Sequence, residues 1–256
     1  MVGGNVLTLQ RVTDVVLKAF HACAASQGDC NNFTFDFGGN VEGEEEVKGF
    51  GYYETIAGDS GAGPDWDGAS GVHTHMTNTR ITDSEVFERR YPVILMEFSL
   101  REGSAGQGQH VGGNGVVRDI EFRIPVQVSI LSERRVYHPY GIAGGEDASC
   151  GQNLWVRHAP KLKGSDADAE AQRQEQTNGT KELTEDEQEV RYINIGGKNT
   201  ASMQPGERII IMTPGGGGWG PVGKGSKSKQ QARQDPRHGW RGGSVASRQA
   251  EAEASA

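Results

Sequence analysis

The sequence predicts a β-dominated α+β fold, in which short and mostly antiparallel strands alternate with glycine-rich turns behind one leading helix. Two observations support this prediction. Glycine accounts for 38 of the 256 residues and is concentrated in short clusters such as Gly215–Gly218. Short apolar or alternating runs lie between these clusters and are bounded by Gly or Pro. Because strands and helices do not alternate regularly, a doubly wound nucleotide-binding fold is not expected.

Two helices are predicted. The first covers Leu9–Ala25 with Thr8 as its cap, because apolar residues recur there at steps of three and four. We expect the apolar stripe of this helix to face the core. The stripe consists of Val12, Val15, Val16, Ala19, Phe20 and Cys23. The second helix is short and covers Ser84–Arg90.

Strands are predicted where runs of β-branched, aromatic or alternating residues lie between turn signals. They cover Asn31–Phe35, Phe50–Ile56, residues 92–102, Val116–Ile124, Val126–Leu131, Leu154–Val156, Tyr192–Ile195 and Arg208–Met212. The acidic run Glu42–Glu46 is interpreted as a solvated turn.

Two stretches are too polar to form a packed core. Lys161–Val190 is nearly free of apolar residues, and residues 223–256 are rich in Lys, Ser and Gln and then in Ala and Glu. Neither can bury enough apolar surface to offset the entropy of ordering the chain. We therefore expect a disordered acidic insertion at 161–190 and a disordered tail at 223–256.

Composition excludes several classes of function. A net charge of −8 and an isoelectric point near 5.4 disfavour binding to nucleic acid or to anionic lipid. The apolar runs are too short to span a membrane, and no signal peptide is visible at the N-terminus. Three cysteines without framework spacing suit a reducing compartment. A cytoplasmic location is therefore predicted.

The densest polar cluster is the segment His73–Arg80. Two histidines two residues apart on a strand would point to the same side and could share a metal, although two imidazoles fall short of the usual three or four ligands. Alternatively, Asn78 and its threonine neighbours only fix the turns of a hydrogen-bonded loop. In a third interpretation, His75, Asn78 and Arg80 line a substrate pocket, where arginine could hold a carboxylate through two hydrogen bonds.

Two further motifs leave alternatives open. Arg134 and Arg135 follow a strand, and they either bind an anion or lock carboxylates such as Glu97 or Glu121 within the fold. The run Gly215–Gly218 could cradle a phosphate with its backbone N–H groups. However, no helix or Lys-Ser/Thr pair follows it, so a tight packing corner is favoured over a nucleotide-binding loop.

A series of short motifs resembles the hydantoinase B/5-oxoprolinase family, and the motifs occur in the order found in that family. The resemblance runs from residue 1 to about 222, apart from the polar insertion. Its motifs are Val2–Val6, Ala24–Gly28 with Asn31-Asn32, Tyr52–Ile56, Thr74–Arg80, Glu88–Pro92, Gly112–Gly115 and Thr213–Gly220. The form most similar to this sequence is the C-terminal end of the large eukaryotic enzyme.

The resemblance implies that residues 1–222 form the C-terminal part of a hydantoinase B-like domain. It also implies ATP-coupled hydrolysis of 5-oxo-L-proline, or a related cyclic amide, to L-glutamate. In the pocket of such an enzyme, we expect catalytic roles for His75 and Asn78, with His75 orienting water or substrate. Arg80 would hold the substrate carboxylate. The other candidates for substrate binding are His73, Arg134 and Arg135.

The same resemblance implies cofactors and partners that lie outside these residues. ATP and a divalent metal are expected for the full enzyme, and no cofactor is expected within this fragment. The ATP-binding, hydantoinase A-like region would be supplied in cis or in trans, and the full enzyme is expected to be a homodimer. We therefore expect the chain to be a fragment that is inactive alone.

Two other functions stay open. The chain could be a non-catalytic assembly module, or a subunit of a hydantoinase- or acetone-carboxylase-like complex that works with separate chains. The sequence also departs from the family pattern at Asp59 and Ala105, where that pattern favours glycine. If both positions require positive φ, Asp59 tolerates this conformation better than most residues, whereas Ala105 is strained.

Overall fold

The computed structural model describes residues 7–42, 45–77, 79–160 and 188–223. Two helices and thirteen strands form in this part of the chain. The helices are α1 (Leu9–Ala19) and α2 (Ser84–Arg90). The strands are β1 (Asn32–Phe37), β2 (Asn40–Glu42), β3 (Glu45–Val47), β4 (Phe50–Thr55), β5 (Gly58–Asp59), β6 (Ser70–Val72), β7 (Val93–Leu100), β8 (Val116–Phe122), β9 (Val126–Leu131), β10 (Gln152–Pro160), β11 (Gln188–Asn194), β12 (Lys198–Met203) and β13 (Arg208–Met212).

The strands form two main sheets. One has the order β12-β9-β1-β4 and the other the order β11-β10-β13-β8-β7, while β2-β3 and β5-β6 are small two-stranded additions. All strand pairs in the described residues are antiparallel. The predicted β-dominated α+β class is therefore confirmed. Neither described helix is long and apolar enough to cross a membrane.

Most predicted elements lie close to their observed bounds. Helix α2 and strands β9 and β13 match the prediction residue for residue. The predicted solvated turn at Glu42–Glu46 is wrong at its ends, because Glu42 closes β2 while Glu45 and Glu46 open β3. The predicted insertion extends too far, since Gln188–Val190 belong to β11. Residues 161–187 and 224–256 lie outside the described residues, so the disordered insertion and tail stay predictions.

The hydrophobic core lies between the two main sheets. Phe33 and Phe35 from β1 meet Ile120 and Phe122 from β8, and all four side chains are fully buried. The Phe35 ring makes edge or tilted contacts with several other aromatic rings, which anchors the centre of this core. Helix α2 contributes Phe87, which is also fully buried. The core thus joins the two sheets and fixes the strand ends that carry the polar loops.

Helix α1 packs with its polar face inward, which is the opposite of the prediction. Gln10 and Asp14 are 0% and 2% exposed, whereas Val15 and Phe20 are 61% and 80% exposed. The expected core stripe therefore faces outward. The inward face carries polar side chains because the elements beneath the helix present hydrogen-bonding partners rather than apolar surface.

The ends of α1 also differ from the prediction. The helix ends at Ala19 rather than at Ala25, because the chain leaves helical geometry at Phe20 and takes a left-handed φ of 51° at His21. Thr8 is itself in helical conformation and makes no capping bond through its side chain. The helix is therefore held by its inward contacts rather than by a side-chain cap.

A buried ion pair links the two sheets through the core. Arg118 of β8 donates from Nε to Glu54 Oε1 (2.7 Å) and from Nη2 to Glu54 Oε2 (3.2 Å), and the two side chains are 0% and 3% exposed. Tyr52 donates its hydroxyl proton to the same carboxylate at 2.6 Å. Burial raises the pKa of Glu54, and the Arg118 charge opposes that rise.

The run Gly215–Gly218 is a central packing segment. Its four N–H groups donate in turn to the carbonyl oxygens of Ser149, Gly113, Ala25 and Glu146, at 2.9–3.1 Å. A Cβ atom on any of these glycines would collide with neighbouring backbone. The favoured interpretation as a tight corner is therefore confirmed, and the segment ties together loops that are distant in sequence.

The family departures at Asp59 and Ala105 do not require positive φ. Asp59 lies in the extended strand β5, and neither residue is among those with left-handed backbone. The expectation of strain at Ala105 is therefore wrong. Its N–H donates to Asn114 Oδ1 at 3.1 Å, so the loop is satisfied without glycine at that position.

The Glu54–Arg118 pair gives a first prediction. Glu54→Gln removes the charge and leaves Arg118 buried without a counter-ion, so we expect the free energy of unfolding to fall by about 3–5 kcal/mol. Chemical denaturation measures this change. Glu102→Gln is the control, because Glu102 is exposed, and it should change stability by less than about 0.5 kcal/mol. Equal effects of the two substitutions would show that the buried pair contributes little.

The glycine segment gives a second prediction. The Cβ of Gly216→Ala would contact Asp59 Oδ1 at 2.6 Å and collide with Ser60 O, whereas a Cβ at Gly51 meets nothing within 4 Å. We expect Gly216→Ala to destabilise the chain by about 3 kcal/mol, the upper end of overpacking costs. Gly51→Ala should be neutral or stabilise by about 0.5 kcal/mol. Thermal unfolding of the two variants compares them, and a similar midpoint for both would contradict the close packing at Gly216.

Candidate functional site

The candidate site is a polar cluster centred on the carboxylate of Asp14, which α1 directs inward. Asp14 Oδ1 accepts hydrogen bonds from the Ser26 N–H (3.1 Å) and the Ser26 hydroxyl (3.0 Å). The same oxygen lies 3.0 Å from His75 Nε2, and Asp14 Oδ2 accepts from Arg134 Nη2 at 3.1 Å. The Asp14 side chain is only 1% exposed. One buried carboxylate thus joins three segments that are far apart in the sequence.

Local backbone geometry explains how these segments reach Asp14. After α1, Gly28 takes a φ of 72° and donates its N–H to Ser26 Oγ at 3.2 Å, which turns the chain back beneath the helix. A Cβ at Gly28 would lie 2.8 Å from Arg134 Nε, so glycine also allows that arginine to approach. Tyr140 donates its hydroxyl to the Asp14 carbonyl at 2.6 Å and so holds the helix from the other side.

A catalytic triad would use the same residue types as Asp14, Ser26 and His75, but these three side chains do not have the geometry of a triad. In a triad the two imidazole nitrogens contact different partners, so that one can accept the serine proton. Here His75 Nε2 faces both Asp14 Oδ1 and Ser26 Oγ, at 3.0 and 3.2 Å. The Ser26 hydroxyl donates its hydrogen bond to Asp14, and Ser26 is only 2% exposed. The arrangement therefore argues against a serine nucleophile.

The geometry instead favours a histidine–carboxylate pair. With Asp14 as its acceptor, His75 carries a proton on Nε2, which leaves the lone pair on Nδ1. Among the described residues, Nδ1 has no hydrogen-bond partner, and the His75 side chain is 16% exposed. Such a nitrogen can accept a proton from a bound water or substrate.

The loop that carries His75 is a turn rather than a strand. β6 ends at Val72, and His75 takes a left-handed φ of 53°. The interpretation that His73 and His75 point to one side of a strand is therefore wrong. Thr77 N donates to Thr74 O at 3.4 Å, and the hydroxyl groups of Thr77 and Thr79 lie 3.2 Å apart.

His73 belongs to a neighbouring contact and not to the Asp14 cluster. Its Nε2 lies 3.5 Å from Thr79 Oγ1, and Thr79 in turn contacts Thr55 of β4. Burial lowers the pKa of His73, which favours the neutral imidazole. The two histidines thus have different partners, and their side chains are not joined through a shared ligand in the described residues.

Arg134 and Arg135 both donate to atoms of the protein. Arg134 takes a φ of 55°, is 4% exposed, and donates to Asp14 and to the His138 carbonyl (2.9 Å). Arg135 donates to the side-chain oxygens of Asn31 (3.0 Å) and Asn153 (3.1 Å). Of the two alternatives left open by the sequence, Arg134 follows the structural one, since it locks a carboxylate within the fold; that carboxylate is Asp14, so the suggested partners Glu97 and Glu121 are wrong.

Two more buried carboxylates, Asp29 and Asp59, lie near this cluster. Asp29 accepts backbone N–H groups from Asn31 (2.5 Å) and Glu133, yet burial raises its pKa to about 6 against the opposing charge of Arg135. Asp59 is 0% exposed, and neither of its oxygens has a partner among the described residues. Burial, with the nearby charge of Asp14, raises the pKa of Asp59 well above its usual value.

In the described residues, neither the glycine run nor the histidines of the segment His73–Arg80 form the phosphate or metal site that the sequence left open. The N–H groups of Gly215–Gly218 already donate to carbonyl oxygens, so they cannot also cradle a phosphate. No group of three His, Cys, Asp or Glu side chains in the described ranges has the arrangement of metal ligands.

The structure thus brings together only some of the residues predicted from sequence. His75 and Arg134 both contact Asp14. Arg135 lies near Asp29, and His73 lies near Thr79 instead. The Arg80 side chain is exposed, and Asn78 lies outside the described residues. The assignments of these residues to catalysis or substrate binding stay predictions.

Sequence reasoning missed Asp14, the residue that organises the site. A signal was present: Leu7, Gln10, Asp14 and Leu17 recur at helical steps and form a second stripe on α1. Leu7 is 7% exposed, so this stripe is the one that faces inward. The more strongly apolar stripe on the other face concealed it.

Comparison with known proteins extends these observations. The family model described as hydantoinase B/oxoprolinase matches residues 1–222. The chain is 57% identical over 228 residues to the 5-oxoprolinase of Saccharomyces cerevisiae, covering 86% of this chain and 16% of that protein. It is 52% identical over 220 residues to 5-oxoprolinase 1 of Arabidopsis thaliana, covering 86% of this chain and 14% of that protein.

A solved structure of nucleotide-free acetone carboxylase shares the fold. Its TM-score is 0.58 at 15% sequence identity, and the match covers 91% of this chain and 31% of the other. Because the family model matches residues 1–222, the chain belongs to the hydantoinase B/oxoprolinase family. It spans about 15% of the length of the two 5-oxoprolinases that it matches.

The unpartnered carboxyl of Asp59 gives a third prediction. Its folded pKa is above its unfolded value of about 3.9, so the folded chain holds the proton more tightly, and stability falls as the pH rises from the unfolded toward the folded pKa. Asp59→Asn keeps the shape but cannot ionise. We expect this variant to gain stability over the parent at pH 8 and to differ little at pH 4.

Thermal unfolding across this pH range measures the difference. Asp65→Asn, at an exposed aspartate, is the matched control and should give a difference from the parent that stays constant with pH. A stability gain at Asp59 that is independent of pH would contradict the buried carboxyl titration.

Proposed function

We propose that this chain is part of a 5-oxoprolinase-type enzyme that hydrolyses 5-oxo-L-proline to L-glutamate and couples this reaction to ATP hydrolysis. The observation that carries the proposal is the identity above 50% to two proteins named 5-oxoprolinase over nearly all of the matched region. In this proposal ATP acts at a region beyond these residues, and the chain alone is inactive.

The Asp14 cluster supports a hydrolytic role for the chain. Opening a cyclic amide requires a water molecule to lose a proton as it adds to the carbonyl carbon, and the ring nitrogen to gain a proton as the C–N bond breaks. A histidine held by a carboxylate is suited to accept the first proton and to return it to the nitrogen. Asp14 fixes His75 through Nε2 (3.0 Å) and directs Nδ1 away from the buried cluster. His75 therefore orients and deprotonates the water in the proposed reaction.

Recognition of the substrate requires a cation for its carboxylate. Arg80 is exposed and lies five positions after His75 in the same segment of the chain. In contrast, Arg134 is buried and Arg135 half-buried, and both donate to protein oxygens. Arg80 is therefore the best candidate to bind the substrate carboxylate through two hydrogen bonds.

Membership of a hydantoinase-type complex of separate chains is the second candidate function. A protein named as a D-/L-hydantoinase component in a Pseudomonas strain is 26% identical over 145 residues. This identity is about half of that to the 5-oxoprolinases, so the 5-oxoprolinase function is preferred. Co-purification with a separate hydantoinase A-like chain would favour the alternative.

A chimeric enzyme tests the proposed function. Residues 1–222 replace the matching segment of the S. cerevisiae 5-oxoprolinase, and glutamate release from 5-oxo-L-proline and ATP is measured. We expect activity in the chimera and none in the isolated chain. Arg80→Ala should raise KM about 10- to 100-fold because a charged hydrogen bond is lost, while His75→Gln should lower kcat about 100-fold or more.

Arg90→Ala is the matched control, since Arg90 is also exposed but lies on α2, and it should leave both constants unchanged. An inactive but folded chimera would contradict the proposed reaction. An unchanged KM in Arg80→Ala would remove Arg80 from the substrate site, and ATP-dependent glutamate release by the isolated chain would show that no further region is needed.

A further inference from the structure

The outward face of α1 is an apolar stripe without a partner in the described part of the chain. Leu9, Val12 and Val16 follow one another at steps of three and four residues and so lie along one side of the helix, and Phe20 continues this stripe at the C-cap position. Their exposed fractions are 44%, 49%, 47% and 80%, and the adjacent Val15 is 61% exposed. Contiguous apolar surface of this kind marks an interaction site on a folded protein.

Two features keep this stripe free of polar groups. Thr13 turns its hydroxyl back to the Leu9 carbonyl at 2.9 Å. Lys18 places its ammonium group 4.0 Å from the centre of the Tyr140 ring, next to the inward-facing side of the helix. The stripe itself contains no charged side chain. A surface that covers it must therefore be apolar.

The helix would gain stability from further apolar contacts. It has eleven residues and no side-chain cap, and helices of this length are marginal in water without packing. Its inward contacts are largely polar, through Gln10 and Asp14. The face that would normally supply the apolar packing energy of an amphipathic helix is the one that is exposed.

We propose that the outward stripe of α1 docks against an apolar surface of the remaining part of the oxoprolinase polypeptide. This proposal rests on the proposed function for the identity of that polypeptide. The matched region is 16% of the yeast enzyme, 14% of the plant enzyme and 31% of the acetone carboxylase chain. In each of these proteins the fold is accompanied by at least twice its own length of other polypeptide, which offers an occupant in the same molecule.

Docking at this face would also act on the candidate site. The stripe and Asp14 lie on opposite faces of one short helix, so a surface that fixes the stripe also fixes the carboxylate that holds His75. Burial of the five apolar side chains would add to stability in proportion to the area removed from water. Asp14 and the face that docks are thus parts of a single rigid element.

The experiment compares one substitution in two settings. Phe20→Asp is introduced into the isolated 256-residue chain and into the chimera with the yeast enzyme, and thermal unfolding is measured in both. In the isolated chain the side chain is already exposed, so we expect the midpoint to change by less than about 1 °C. In the chimera the charge would be buried against apolar surface, and we expect the midpoint to fall by about 5 °C or more.

Tyr192→Asp is the matched control, because Tyr192 is 60% exposed but lies on the edge strand β11. It should shift the two midpoints equally. Kinetics of the chimera add a second measurement: Phe20→Asp should lower kcat, whereas Tyr192→Asp should not.

Two results would overturn the docking proposal. One is an equal, small shift for Phe20→Asp in both settings. The other is self-association of the isolated chain in analytical ultracentrifugation that Phe20→Asp abolishes, because a second copy would then be the occupant. The unfolding comparison does not use enzymatic activity. A chimera that is folded but inactive therefore contradicts the proposed function and leaves the docking result interpretable.

Discussion

The hydrogen bonds of the glycine segment 215–218 are the constraint on which the rest of the structure depends. The four N–H groups of this segment donate to carbonyl oxygens in three separate parts of the chain, and Gly106, Ala62 and Ile142 donate back to its carbonyl oxygens. Any side chain at these positions would separate the backbones by more than a hydrogen bond allows. The loops therefore pack around backbone that carries no side chains. The hydrogen bonds made by this backbone offset the entropy cost of ordering glycine.

The Asp14 cluster is built on this framework. Gly217 donates its N–H to Ala25 at 2.9 Å, next to Ser26, which in turn donates to Asp14. The neighbouring Gly216 approaches Asp59, the carboxyl that lacks a partner among the described residues. The packing of the glycines and the electrostatics of the site are thus physically adjacent.

Local sequence pattern was sufficient for most of the sheets but for only part of the candidate site. Strands such as Val126–Leu131 were predictable because periodicity and turn signals are local properties. The strand Lys198–Met203 was missed because its residues are largely polar and exposed, and only its pairing with β9 makes it a strand. Asp14 was missed because its helix turns the more apolar face outward. The rule that the more apolar face of a helix packs on the core therefore assigned the two faces of α1 in the wrong order.

The pairing of β10 with β11 has a practical consequence for engineering. Pro160 and Gln188 are opposite one another in the antiparallel register of β10 and β11, so the two strand ends that this connection joins are neighbours. Loop-closure entropy rises only slowly with loop length. The junction is therefore a suitable place to shorten the connection to a tight turn, or to insert a fluorescent reporter, without changing the strand order around it.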